Sequence, residues 1–204
     1  MAWYDVFANF YDASLDGVYK EHRQQAAAAL ALEPGMTVVD VGCGTGLSFE
    51  VLVDGVGPTG RVLGVDASAG MLRKAEGRVR RQGWDNVELV EIAADDPTQS
   101  AQVLAQVGEV DRVLCFLSLS VIGGWEDVLR QWFGQLRPGG KLVIADVHNP
   151  SPGLYAKYVE FISRGTLTRR SWEPLEELSS HFTREEQDSS WVLGGTFFVA
   201  TGTK

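Results

Sequence analysis

The stretch VVDVGCGTGLSFEVL, residues 38–52, passes from a β-branched apolar run through three glycines in five positions into a segment with helical spacing. β-Branched residues favour a pleated, buried strand. Gly42, Gly44 and Gly46 then let the chain turn through conformations that a Cβ would penalise, and let its backbone come close to a ligand. A helix beginning near Leu47 points its free N–H groups and the positive end of its dipole at whatever sits in the loop. The stretch therefore predicts a strand, a tight turn and a helix that together seat an anion or a nucleotide.

Outward from this unit, short β-branched runs alternate with helix-length amphipathic segments. RVLGVD precedes AGMLRKAEGRVRRQG, VELVEI precedes AQVLAQV, DRVLCFLSL precedes EDVLRQWFGQL, and KLVIADV precedes LYAKYVEFIS. Such repetition predicts βαβ units and a mostly parallel sheet covered on both faces. Turn residues punctuate the units at Pro34-Gly35, Gly57-Pro58 and Arg137-Pro138-Gly139-Gly140. Residues 15–32 read as a leading helix that stops before Pro34. At the other end, SSHFTREEQDSSWVLGGTFFVATG reads as a hairpin or two strands, with WVL and TFFVAT as its apolar pieces and Gly194-Gly195 as the bend. No linker or repeat divides the chain, so residues 1–204 are expected to form one domain.

Three ligands compete for the glycine turn. A P-loop needs a Gly-Lys-Ser/Thr that is absent here. A dinucleotide turn expects G-x-G-x-x-G, and its third glycine would fall on Leu47. S-Adenosyl-L-methionine fits the observed G-x-G-x-G better: its carboxylate suits the helix N-terminus, and its ammonium suits Asp40 beside the turn. Asp66 ends the next strand, where a carboxylate accepts from both ribose hydroxyls. NAD makes the same demand, so Asp66 supports an adenosine ligand without choosing between the two. Asp66 also has the chemistry of a plain N-cap for the helix after it.

Taken in order, VVDVGCGTG, GVDASAGML and LRPGGKLVIAD resemble the class I S-adenosylmethionine-dependent methyltransferases over roughly residues 10–150. Within that class the similarity is to the ubiquinone/menaquinone-biosynthesis and phospholipid-methylating type. The resemblance implies a Rossmann-like three-layer αβα sandwich, with a seven-stranded, mostly parallel sheet whose last strand is antiparallel. It places Asp40, Gly42, Gly44 and Gly46 around the methionine moiety, Asp66 on the ribose, and Ala67, Met71 and Cys115 among the cofactor contacts, with Met71 packed on adenine. It also implies that Tyr11 closes over the cofactor and lies at the reacting centre, where an aromatic ring attracts a sulfonium; simple packing is the alternative. The acidic residue such enzymes carry after the third strand is displaced in NVELVEIAADDP. The aligned position is near Ala93, and Asp95, with Asp96 beside it, is the candidate for the adenine amino group; adenine held by apolar contacts and backbone alone is the alternative.

Methyl transfer needs alignment in a dry pocket rather than a nucleophilic side chain, and no Ser-His-Asp or Cys-His constellation is visible. His148, at the end of the fifth strand, is the candidate for orienting an acceptor or removing its proton; bonding the turn at Asn149-Pro150 is the alternative. Tyr155, Tyr158, Phe161, Trp172 and Phe182 are expected to help form an acceptor pocket, unless they pack a helix on its own sheet. A nicotinamide-dependent oxidoreductase and a non-catalytic S-adenosylmethionine-binding module remain the competing functions.

Composition narrows the partners. The 27 Asp and Glu against 18 Lys and Arg give a formal charge of −9, so nucleic acid is not expected. The basic tract LRKAEGRVRR reads as a solvated helix face. Neither a signal peptide nor a membrane span is visible, which makes a cytoplasmic enzyme acting on a small-molecule or lipid acceptor the expectation. The two cysteines, Cys43 and Cys115, fall in apolar segments and suggest buried thiols, with no metal site.

Overall fold

The computed structural model describes residues 17, 19–93, 96–188 and 195–204. Tyr11, Asp95 and the WVL segment lie outside these residues. A helix over residues 19–30, here α1, leads into β1 (Thr37–Val41), α2 (Phe49–Val56), β2 (Arg61–Asp66), α3 (Ala69–Gln82) and β3 (Val87–Glu91). Then come α4 (Pro97–Val107), β4 (Val110–Phe116), α5 (Trp125–Gly134), β5 (Leu136–His148), α6 (Leu154–Ser163), α7 (Trp172–Leu178), β6 (His181–Asp188) and β7 (Thr196–Thr203).

The seven strands form one sheet in the order β3-β2-β1-β4-β5-β7-β6. β2 pairs with β1 and β3, and β4 with β1 and β5, all in parallel, whereas β7 runs antiparallel to both β5 and β6. The seven-stranded sheet with an antiparallel last strand is therefore observed. Alternate residues of each central strand feed opposite cores. Val38, Leu114 and Val143 pack with Leu30 of α1, Phe49 and Leu52 of α2 and Leu72 of α3. Val39, Cys115 and Ile144 pack with Val103 of α4, Leu129 and Trp132 of α5 and Trp172 of α7. Burial on both faces explains why β1, β2 and β4 read as continuous apolar runs.

Four local readings change. α2 starts at Phe49 rather than near Leu47, because residues 44–48 are spent in turns that include bonds from Gly46 N to Cys43 O and Phe49 N to Gly46 O. α4 starts at Pro97, four residues earlier than its apolar pattern suggested. Asp96 caps it by accepting the N–H groups of Thr98 and Gln99 at 2.9 and 3.0 Å, and proline suits the first turn. Strand β6 is HFTREEQD, a charged edge strand that the search for apolar pieces did not single out. Edge strands carry charge because a bare apolar edge invites pairing with other chains, and that composition hides them from a search for apolar runs. α7, with Pro174 in its first turn, was not anticipated at all.

Candidate functional site

The strand order reverses between β1 and β4: the chain leaves β1 through β2 to β3, then returns to the other side of β1. Open α/β sheets bind ligands outside the strand ends at such a switch point. Here the ends of β1 and β4 border a cleft of about 460 Å³, open solvent included. One wall is Asp40 with Gly42, Cys43 and Gly44; the facing wall is Phe116 and Leu117; Tyr19 and Arg23 of α1 close the side, and Ser48 sits at the foot of α2.

The glycines serve different ends. A Cβ on Gly42 would lie 2.5 Å from the Cβ of Ser118, so the loop after β4 presses directly on the turn. A Cβ on Gly46 would lie 2.5 Å from the Phe49 ring, so this position serves packing. Gly44 differs: its φ is +56°, yet a Cβ there would meet nothing within 4 Å among the described residues beyond its chain neighbours. Gly44 also lines the cleft, where the lack of a side chain lets a ligand come close to the backbone.

Two carboxylates bear on the turn: Asp40 lines the cleft, whereas Asp66 is not among its lining residues and reaches the turn through Gly44. Asp40 is 1% exposed, and its Oδ2 has no hydrogen-bond partner among the described residues. Burial, and secondarily the charge of Asp66, push its pKa from 3.8 up to about 7. A buried carboxylate oxygen left without a donor is costly, and a ligand ammonium would satisfy it. Asp66 accepts the N–H of Gly44 through Oδ2 and that of Ser68 through Oδ1, both at 2.8 Å. Burial raises its pKa, while the N–H groups of Ser68, Gly44 and Ala67 oppose the rise. Asp66 is not the cap of α3: Ser68 is, accepting the N–H of Met71 at 3.2 Å. Two carboxylate oxygens with two lone pairs each leave Asp66 acceptor capacity beyond those internal bonds.

The remaining candidates divide. Met71 is buried at the first turn of α3, and Ala67 is exposed at the end of β2 next to Asp66. Asp96 is engaged as the cap of α4. Cys115 is fully buried in the core beneath α4 and α5, where burial drives its thiol pKa far up. Strand alternation gives the cleft Phe116 in its place, and Leu117 follows with φ +51° and its N–H on Ala145 O at 2.8 Å. A bulky residue with positive φ is a strained conformation that concentrates at functional sites. Tyr19, Arg23, Phe116 and Leu117 were missed as site residues. Positive φ at a leucine leaves no mark in sequence, while Arg23, a charge inside an otherwise apolar helix stripe, was a usable signal.

His148 lies three residues beyond Ala145, hence on the other side of the sheet from the Phe116 and Ala145 core. Its ring meets Trp172 edge-on at 4.7 Å, and Trp172 meets Phe198 at 4.8 Å. Burial, then the nearby charges of Arg184 and Arg170, lower its pKa and keep the imidazole neutral near pH 7. The aromatics expected around an acceptor also separate. Trp172 is core and Phe182 packs against that core, while Tyr155, Tyr158 and Phe161 are exposed on α6.

Comparison with known proteins identifies the family and the fold. The family described as "Methyltransferase domain" matches residues 32–190. A demethylmenaquinone methyltransferase of Lactococcus lactis is 28% identical over 134 residues, covering 65% of this chain and 50% of that protein. The chain thus spans about half the length of several curated relatives it matches. In fold, it resembles an O-methyltransferase family protein from Burkholderia thailandensis (TM-score 0.72, 14% identity, 96% of this chain and 59% of that one). It also resembles the [4+2]-cyclase SpnF (TM-score 0.69, 17% identity, 90% and 80%). A match over most of the chain, on a sheet with its glycine turn at the switch point, establishes the group: the chain belongs to the methyltransferase domain family, with the class I S-adenosylmethionine-dependent fold.

Proposed function

We propose that this chain transfers a methyl group from S-adenosylmethionine to a small-molecule or lipid acceptor. The observation that carries the reading is that Gly44, with open space at its missing side chain, and the buried Asp40, whose Oδ2 has no partner, line one cleft, both absences being among the described residues. Asp40 would accept from the ammonium of the cofactor, and the guanidinium of Arg23, itself 6% exposed on the same cleft, would hold its carboxylate. Asp66 would accept from the ribose, with Ala67 and Met71 beside the adenine. Tyr11 and Asp95, outside the described residues, remain candidates for covering the sulfonium and binding the adenine amino group. When bound, S-adenosylmethionine supplies an electrophilic methyl on a cationic sulfur.

The protein's part is alignment and exclusion of water. Phe116 and Leu117 present an apolar wall where the acceptor must approach, and a dry wall of this kind favours charge-reducing displacement. No general base is required of an acceptor that ionises readily. His148 stays a secondary candidate because its ring is packed on Trp172. A curated relative named for demethylmenaquinone supports an apolar, ring-bearing acceptor as the substrate class.

The deciding experiment incubates the protein with S-adenosylmethionine labelled in its methyl group and a cell extract, then identifies labelled products by mass spectrometry. A labelled small molecule or lipid is expected. Cofactor binding without any labelled product would favour a binding module, and tight binding of NAD with none of S-adenosylmethionine would overturn the proposal.

A further inference from the structure

The basic tract of α3 meets water at Arg73, Arg80 and Arg81, which are exposed, but not at Arg78. Arg78 is half-buried, and its Nε donates to the carbonyl oxygen of Thr45, inside the glycine turn, at 3.1 Å. It follows the buried Met71 and Ala75 at i+7 and i+3, which sets it on the inward side of the helix. The expectation of a solvated helix face therefore fails at this one arginine.

The β2–α3 unit thus holds adjacent residues of the turn. Asp66, at the tip of β2, accepts the N–H of Gly44, and Arg78 donates to the carbonyl of Thr45. The peptide between Thr45 and Gly46 is held at both ends, since the N–H of Gly46 donates to Cys43 O at 3.0 Å. Gly44 and Gly46 have φ of +56° and +75°, and glycine is the residue with most freedom to leave such a conformation. Fixing the turn in the free protein removes an ordering cost from binding. The two holds differ in one respect. The carboxylate of Asp66 is proposed to accept from the ribose, so a bound cofactor shares it. Thr45 is among the described residues that line the cleft and Arg78 is not, so a ligand in the cleft need not displace the guanidinium. The contact is a single hydrogen bond from a charged donor, stronger than a neutral one, and not the two-pronged fork that only arginine makes.

We infer that Arg78 is a positioning residue for the cofactor. It acts from outside the cleft, holding Thr45 so that the glycine turn is shaped before S-adenosylmethionine arrives. The inference rests on the reading of the cleft as the seat of that cofactor and is independent of the acceptor.

The test is calorimetric titration of S-adenosylmethionine and S-adenosylhomocysteine into the full chain and its variants, with thermal unfolding of each unliganded protein. Arg78→Met keeps an apolar stem and removes the donor. It should bind both ligands about five- to tenfold more weakly, with the unliganded melting temperature nearly unchanged. Arg78→Lys, which restores a charged donor, should recover most of the affinity. Arg81→Met, the same change of charge at an exposed arginine of the same helix, should bind like the parent. In unliganded Arg78→Met the Gly46 amide should exchange its hydrogen severalfold faster, while the amides of α3 keep their rates. If Arg78→Met does not fold, Arg78→Ala is read in its place.

Undiminished affinity in the folded Arg78→Met protein would overturn this inference alone, as would an unchanged exchange rate at Gly46 or a lysine variant no better than the methionine one. An equal loss in Arg81→Met would also overturn it, since the effect would then be one of charge at a distance. A parent protein that binds neither ligand would overturn the reading of the cleft, and this inference with it.

Discussion

Asp66 accepts the backbone N–H of Gly44 at 2.8 Å across 22 positions of sequence, tying the end of β2 to the turn after β1. The carboxylate proposed to hold the ribose is thus also the group that holds the cofactor loop in place. Asp66→Ala is expected to weaken S-adenosylmethionine by about 1.5–3 kcal/mol, the scale of hydrogen bonds to a charged group. Asp66→Asn, which keeps one acceptor oxygen, should recover part of that loss. Calorimetric titration measures both, and an alanine variant of unchanged affinity would show that neither ribose nor loop depends on this side chain.

The carboxyl of Asp40 has a pKa near 7 in the folded chain against an ordinary 3.8, so the folded state holds a proton that the unfolded state has lost. Stability contributed by this group is therefore full below about pH 4 and is lost as pH rises to about 7. At 1.36 kcal/mol per pH unit the loss is at most about 4 kcal/mol, and roughly half that after relaxation. Asp40→Asn should consequently melt higher than the parent above pH 7 and converge with it towards pH 4. Its affinity for the cofactor should fall, because an amide no longer offers the ammonium a charge. In the parent, affinity should rise between about pH 6 and 7.5, with proton release detectable by titration in buffers of different ionisation enthalpy. A flat profile would mean that Asp40 is not facing the ammonium.

Gly44 and Gly46 are both glycines with positive φ, yet their substitutions should fail differently. Gly44→Ala meets nothing within 4 Å among the described residues, so its cost to folding is about 1–2 kcal/mol of left-handed backbone strain, while cofactor binding should be lost. Gly46→Ala drives its methyl into the Phe49 ring at 2.5 Å and should mainly destabilise the fold. Thermal unfolding with and without S-adenosylmethionine separates the two, and a Gly44→Ala protein that binds normally would refute the proposed seat.

Arg23 offers a test of orientation in the cleft. Arg23→Met should weaken S-adenosylmethionine by roughly 1.5–3 kcal/mol but leave decarboxylated S-adenosylmethionine nearly unaffected, since that ligand lacks the group Arg23 is proposed to hold. Equal losses for both ligands would place the carboxylate elsewhere.

The sheet core was legible before any coordinates because strands buried on both faces become uninterrupted β-branched runs. The glycine turn was legible because positive φ leaves few residue choices. Asp66 was found by its spacing alone. What escaped was set by contacts between distant segments. Asp96, beside the favoured Asp95, is the cap of α4, a role that its sequence position alone did not reveal. Cys115 and Phe116 are adjacent apolar residues, and only the pairing of β4 between β1 and β5 decides which of them reaches the cleft. β6 carries too much charge to announce itself as a strand, being specified by β7 beside it.

Sequence by itself determined the βαβ alternation, the position of the ligand turn and the carboxylate at the next strand tip, since these follow from backbone sterics and periodicity over a few residues. Only the tertiary structure decided that Arg23 and Tyr19 join that turn, that His148 stands against Trp172, and that the aromatics of α6 face outward. Which side of a layer a side chain occupies depends on packing partners tens of residues away, and local pattern carries no record of them.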